Sequence, residues 1–287
     1  MRIARTEAEL RRLLDRWRAA SMPWAFVPTM GALHEGHLTL CRRAAADYPR
    51  VIASVFVNPT QFDRAEDLER YPRQPEADAE ALRAAEVDAL LLPSEAVIYP
   101  HGRAHDSGLP DLGGLDRRYE GGHRPGHFAG VVQVVRRLLA LVGPAAMYMG
   151  EKDAQQLAVL RRAARAEGWP VEIVGVPIVR EDSGLAMSSR NGRLYPAMRD
   201  TAAGLYAELS AAAAAWRQGA EVGHITAAAK THLAELGFAV EYFDFVDPAR
   251  FEALAPGTRR THAGPEALIV AAAWLGGVRL IDNLRVS

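Results

Sequence analysis

Cysteine is nearly absent. Cys41 is the only one in 287 residues, which excludes an intrachain disulfide and fits a reducing compartment. Its neighbours in sequence offer no obvious base, so it reads as a small buried residue rather than a nucleophile. Lysine is almost as scarce: of 34 basic residues, only Lys152 and Lys230 are lysine. Arginine supplies generic positive charge here, so a retained lysine points to a need for a compact, mobile ammonium. Charge of one sign is lacking too. The formal net charge is −1 at pH 7, which leaves no basic field to gather nucleic acid. No stretch approaches the ~20 apolar residues of a bilayer span. The opening MRIARTEAELRRLLDRW lacks the apolar run of a signal peptide. The expectation is a cytoplasmic chain with neither membrane nor nucleic acid as partner. With 49% hydrophobic and 24% charged residues, the chain is long enough to bury one large core or two modest ones.

What is present alternates. WAFVP (24–28) reads as a buried strand, followed by a helix over roughly 36–47. VIASVFV (51–57) is a second strand, a helix is expected over about 75–86, and VDALLLP (87–93) is a third strand. The segment 100–126, rich in Gly, Pro and His, reads as an excursion from the core. A helix over 128–142, a strand at 145–149, a helix over 152–168 and a strand at 171–177 complete the series. Strand and helix in alternation imply an α/β fold, a Rossmann-like, doubly wound parallel sheet covered on both faces. After about residue 180 the order changes. Helices over 196–218 and 221–237 precede strands at 240–247, 267–275 and 278–282, the pattern of a smaller C-terminal α+β domain. The expected division is therefore 1–180 and 181–287.

In a doubly wound sheet the ligand sits beyond the C-terminal strand ends. Pro28–His37, Asn58–Phe62 and Gly150–Asp153 each follow an expected strand, so they should converge on one mouth. In PTMGALHEGH (28–37), Gly31 and Gly36 allow a tight turn and close approach of a ligand. The helix that follows would aim its N-terminal N–H groups at an anion. With Glu35 opening that helix, His34 and His37 fall on nearly the same side. They are fit to donate to phosphate, to hold a metal, or to serve structure alone. In SVFVNPTQF, Asn-Pro is first a turn signal; Gln61 reads either as a turn residue or as an amide that recognises a substrate carboxylate or hydroxyl. In GEKDAQQ (150–156), Lys152 opens a helix whose dipole opposes a cation, which makes sense with an anionic ligand between them. Asp153 suits a cap. The two hydroxyls and the guanidinium of MSSRN (187–191) suit a polyphosphate.

Taken together these segments resemble the pantothenate synthetases, a family of the nucleotidyltransferase superfamily that includes class I aminoacyl-tRNA synthetases. PTMGALHEGH is similar to that superfamily's HIGH-type motif and MSSRN to a shortened KMSKS-type loop. SVFVNPTQFDRAEDLERYPR, RPGHFAGV, GEKDAQQL, VGVPIVR and AAWLGGVRLIDN are similar to stretches of the family itself. The likeness runs in order along essentially the whole chain, and departs from it at Gly122-His123, where Ala-Ser is more frequent.

The resemblance implies an ATP-dependent ligase of the coenzyme A pathway. Pantoate attacks the α-phosphorus of ATP to give pantoyl adenylate and pyrophosphate; β-alanine then displaces AMP, forming a C–N bond. It implies that Met30, Gly31, Ala32, Leu33, His34, Glu35, Gly36 and His37 bind ATP, with Gly150, Glu151, Lys152, Asp153, Val179, Met187, Ser188, Ser189 and Arg190. His37 is assigned as proton donor, with His34 and Lys152 supporting the phosphates. Gln61 and Gln156 would hold pantoate, and Gln61 would also approach β-alanine. Asp78, Arg124 and His127 would line the site. Mg²⁺ would accompany ATP, held mainly by phosphate oxygens, and the family's oligomer is a homodimer. Pyrophosphate leaves readily, so hydrogen bonding in the transition state should matter more than complete proton transfer from His37. The Met187–Arg190 loop and the C-terminal domain are expected to close over ATP and shield the adenylate from water. Three rival readings are a relative with another acid as substrate, a zinc site built from His34, Glu35, His37, His123 and His127, and a non-catalytic ATP sensor. The zinc reading lacks the His-Glu-x-x-His helical spacing.

Overall fold

A computed structural model describes residues 1–104, 108–260 and 266–286. The excursion expected over 100–126 therefore includes three residues, 105–107, that lie outside the described ones. The chain divides into two compact units, Met1–Glu151 with Val159–Pro177, and Lys152–Ala158 with Ile178–Ser287.

The first unit is built on a six-stranded sheet of β1 (Arg2–Ala4), β2 (Trp24–Thr29), β3 (Arg50–Val55), β4 (Ala89–Leu91), β5 (Ala146–Gly150) and β6 (Glu172–Val176). Its order is β1-β4-β3-β2-β5-β6, and every pairing is parallel. The helices between strands are α1 (Glu7–Ala19), α2 (Glu35–Asp47), α3 (Ala65–Glu69), α4 (Pro75–Ala84), α5 (Glu95–Ile98), α6 (Tyr119–His123), α7 (His127–Val142) and α8 (Ala154–Glu167). Central strands of a parallel sheet are covered on both faces and so read as unbroken apolar runs. Accordingly Ala25, Phe26, Val27, Ile52, Ala53 and Leu90 have no exposed surface. Under one face, Leu40, Cys41 and Ala44 of α2 join Ala25, Val27, Val51 and Ala53 in a single core.

Strand order reverses between β2 and β5, where a doubly wound sheet opens its crevice. The opening is visible in the register. β2 pairs with β3 as far as Thr29–Val55, but with β5 only at Ala25 and Phe26. Pro28, which has no N–H to give, stands where the β5 side has already parted. The turn from Met30 to His34 leaves the sheet at this point.

In the second unit α9 (Pro196–Arg217) and α10 (Val222–Glu235) precede an antiparallel sheet of β7 (Ala239–Val246), β8 (Ala267–Leu275) and β9 (Val278–Val286) in sequence order. Alternate residues of β8, Ala267, Ile269, Ala271 and Ala273, share a core with Leu205, Leu209, Ala212 and Trp216 of α9. Period two on the strand meets period 3.6 on the helix.

The sequence reading left out two elements at the start, the edge strand β1 and helix α1. The helix had a local signal. Thr6 accepts from Glu9 N while Glu9 reaches back to Thr6 N, a complete capping box. The helix expected from residue 152 begins instead as a 3-10 turn, Glu151–Asp153, and becomes α-helical at Ala154. The last strand runs to Val286 rather than ending at 282.

Candidate active site

The turn after β2 is strained and then tied down. Gly31 has φ +82° and Ala32 φ +51°, left-handed values that in a residue with a Cβ disfavour folding by about 1–2 kcal/mol. The buried carboxylate of Asp78 on α4 offsets this by accepting from Ala32 N (3.1 Å) and Leu33 N (2.9 Å). Hydrogen bonds to a charged acceptor contribute about 1.5–3 kcal/mol each. A Cβ at Gly31 would stand 2.7 Å from Asp78 Oδ2 and 2.9 Å from Val55 Cγ1, so the turn and its buttress fit only with glycine there. Asp78, expected as a lining residue, is a support beneath the turn.

α2 opens one residue before the helix expected over roughly 36–47, with His34 as its N-cap and Glu35 as its first residue, the opening on which a shared side for His34 and His37 depends. The two imidazoles cap the helix reciprocally. His34 Nδ1 accepts from Gly36 N (3.2 Å) and His37 Nδ1 accepts from His34 N (3.3 Å). A ring nitrogen that accepts from a backbone N–H carries no proton, so each neutral ring bears its proton on Nε2. The ring centroids are 4.1 Å apart.

This geometry changes the expected means of binding an anion. Gly31 N donates to Thr29 Oγ1, Ala32 N and Leu33 N to Asp78, His34 N and Gly36 N to imidazoles, and His37 N to His34 O. The backbone donors that make a helix N-terminus an anion site are thus largely engaged by the protein. The Glu35 carboxylate is paired with Arg42, whose hydrogen bond holds it below the usual carboxylate range.

Gln61 closes a 3-10 turn, Pro59–Gln61, after β3. Buried Asn58 organises it: its amide donates to Gln61 Oε1 (3.2 Å) and Gly130 O (3.1 Å), and its carbonyl accepts from Tyr99 Oη (2.6 Å). Burial pushes the Tyr99 phenol up, which keeps it a donor. Gly130 of α7 lets the turn approach, since a Cβ there would lie 2.2 Å from Thr60 O. The Gln61 carbonyl faces His127 Nδ1 (2.8 Å) and accepts from Arg124 Nη2 (3.3 Å). Gln61 Nε2 reaches Met30 Sδ (2.8 Å). The first unit therefore brings together Met30, Gln61, Arg124 and His127. Asn58 read in the sequence only as a turn signal, and no local pattern marks Gly130. Gly150 ends β5 at the C-terminal edge of the same sheet, and Glu151 follows it.

In the second unit the Lys152 side chain is 20% exposed, with Nζ 3.8 Å from Asp153 Oδ1, and Gln156 lies half-buried on α8. Val179 and Met187 face each other across a short hairpin, with Met187 N donating to Val179 O (3.0 Å). The loop that follows is fixed internally. Ser188 Oγ accepts from Arg190 N (3.2 Å), and buried Asn191 donates to Glu181 Oε1 (2.9 Å) and Ala186 O (3.0 Å). Among the described residues no group of three or more His, Cys, Asp or Glu is placed to hold a metal ion. No helix among them is long and apolar enough to cross a membrane.

Residues 2–285 match the family described as pantoate-beta-alanine ligase. The pantothenate synthetase of Thioalkalivibrio sulfidiphilus is 45% identical over all of this chain and 98% of its own; that of Rhizorhabdus wittichii is 47% identical over all of this chain and 99% of its own. A crystal structure of the enzyme from Thermus thermophilus superposes with a TM-score of 0.88 at 43% identity, covering 99% of both chains. That of the Francisella tularensis ligase, complexed with beta-gamma ATP and beta-alanine, gives 0.82 at 32% identity over 99% of this chain and 97% of that one. The chain belongs to the pantoate–β-alanine ligase family.

Proposed function

We propose that this chain condenses (R)-pantoate with β-alanine at the expense of ATP, giving pantothenate, AMP and pyrophosphate. A pantoate carboxylate oxygen bonds to the α-phosphorus as the bond to pyrophosphate breaks. The β-alanine nitrogen then bonds to the acyl carbon as AMP leaves, and the amine's proton passes to solvent. The observation that carries this reading is the reciprocal cap of His34 and His37, which leaves both rings protonated on Nε2 at the mouth of a doubly wound sheet. The difficulty of the first step is charge, because an anion attacks a polyanion. Preorganised donors answer it without reorganising as charge develops.

In this reading His37 and His34 donate to the phosphates, with His37 nearest the departing pyrophosphate, and Lys152 adds a cation. Met30 to Glu35, Gly36, Gly150, Glu151, Asp153, Val179 and Met187 to Arg190 complete the ATP site. Gln61 and Gln156 hold pantoate, and Gln61 also meets β-alanine. The division near residue 180 and a closing role for the C-terminal part belong to the same proposal. Mg²⁺ enters with ATP. Phosphate oxygens would hold it in the main, which suits an ion that keeps its waters. The protein acts in the cytoplasm as a homodimer, for which sedimentation at micromolar concentration is the check.

The test of function is exchange of labelled pyrophosphate into ATP. Exchange that depends on pantoate, and not on other hydroxy acids, is expected. Exchange supported best by another acid would transfer the site to a different substrate, and none with any acid would leave an ATP sensor.

A further inference from the structure

Lys152 and the Met187–Arg190 loop lie in the same unit but far apart in sequence. One side chain, Arg180, stands at the root of both. It belongs to the hairpin that presents the loop, bridging to Ala186 beside the Met187–Val179 hydrogen bond. Its planar fork is filled. Nη1 donates to Asp282 Oδ2 (2.6 Å) and Gly184 O (3.1 Å), and Nη2 to Asp282 Oδ1 (3.0 Å) and Asn283 O (3.4 Å). Its Cζ lies 3.6 Å from the centre of the Tyr206 ring on α9. That ring also backs the hairpin's turn, since a Cβ at Gly184 would stand 2.8 Å from Tyr206 Cδ1. Asp282 on β9 is 3% exposed and also accepts from Asn283 N (2.8 Å). The last link is Asn283, whose amide donates to the backbone carbonyl of Lys152 (2.9 Å).

A buried ion pair seldom adds stability over an apolar pair of the same volume, and its best-attested use is to fix one arrangement against others. Here the arrangement fixed is that of two segments with no local reason to be held in register. We propose that Asn283, anchored by the Arg180–Asp282 pair, is a positioning residue that holds Lys152 and the Met187–Arg190 loop in one geometry for the phosphates of a nucleotide. The proposal rests on the reading of Lys152 as a phosphate-binding residue.

The test is equilibrium dialysis of α,β-methylene-ATP against the full chain, Asn283→Ala, Lys152→Ala and the double variant, with melting temperatures for each. Asn283→Ala is expected to weaken binding about tenfold in the native background and less than about twofold in the Lys152→Ala background, because contacts acting through one residue are not additive. Asn283→Asp, which keeps the shape and loses the donor, should reproduce the loss if Asn283→Ala fails to fold. Equal losses in both backgrounds, or no loss in the native one, would overturn the proposal. A native chain that binds no analogue would overturn the nucleotide reading along with it.

Discussion

The two units hold the segments proposed to bind phosphate by opposite means. In the first, a strained backbone does the shaping. Two successive left-handed residues, Gly31 and Ala32, turn the chain off β2, and one buried carboxylate and two imidazoles take up the N–H groups that result. In the second, a hairpin and the loop it presents are cross-linked from outside by the Arg180–Asp282 pair and two asparagines. The first device runs from one strand to the next helix and is propped by Asp78 of α4. The second draws together β9, a hairpin near residue 184 and the 3-10 turn that precedes α8. The turn and caps of the first are written in adjacent residues; its Asp78 prop, like the cross-links of the second, is assembled only by the fold.

Breaking the cross-link should have the largest effect on stability. Arg180→Met leaves Asp282 buried without its counter-charge, and removing one partner of such a pair typically costs about 3–5 kcal/mol. Burial already pushes the Asp282 carboxyl up, against the pull of Arg180. Without the arginine its folded-state value rises further above the unfolded one. The folded chain then binds the proton more tightly, so the deficit should shrink as pH falls toward the ordinary aspartate value of 3.8. Urea unfolding at pH 7 and pH 5 checks both magnitude and sign; a deficit independent of pH would mean that Asp282 finds another partner.

His37→Ala removes a ring that caps α2 and is proposed to donate to phosphate. Pyrophosphate exchange is expected to fall about 10²–10³-fold, the usual effect of one preorganised donor. The lost cap should lower stability by only about 0.5–2 kcal/mol. A melting temperature that collapses along with activity would make His37 structural first.

Asp78→Asn tests the first device. The amide keeps one acceptor and turns a donor toward the other N–H, so one buried hydrogen bond is exchanged for a clash of donors, at about 1–3 kcal/mol. Because the Ala32 conformation depends on that bond, the Michaelis constant for ATP should rise as well. An unchanged constant would show that the turn holds its shape without Asp78.

The same contrast explains what the sequence disclosed. The parallel sheet was legible because its strands are continuous apolar runs, and α2 because its first residue and glycines are adjacent. That His34 and His37 share a side of α2 was legible from their spacing, but their capping roles and the engagement of nearly every backbone donor around them were not foreseen. That engagement depended on Asp78, 46 residues from Ala32 and with nothing local to mark it. Asn58 looked like a turn residue because its partners, Gly130 and Tyr99, lie 72 and 41 positions away. Arg180, Asp282 and Asn283 end two of the stretches that resemble the family, VGVPIVR and AAWLGGVRLIDN, but nothing local showed that they meet, since a buried polar side chain is recognised only by what it touches. α1 is different. Its Thr6–Glu9 capping box is local and could have been read.

The smallest effect, and the one that separates the two devices most cleanly, concerns Cys41. It lies on α2 in the first unit, fully buried, and burial pushes its thiol up to about 12. The second unit has no cysteine. At pH 8 the folded chain should therefore react with a thiol reagent only through openings of the first unit, in which Cys41 regains an ordinary thiol value near 8.5. Labelling then reads the local free energy of that unit alone. Asp78→Asn should speed it by about five- to 150-fold, the factor set by 1–3 kcal/mol if opening is fast and reversible. Arg180→Met acts in the other unit and should speed it less, despite its larger global cost. If Arg180→Met speeds labelling as much as it lowers global stability, the two units open together, and the contrast between the two devices does not extend to how the protein comes apart.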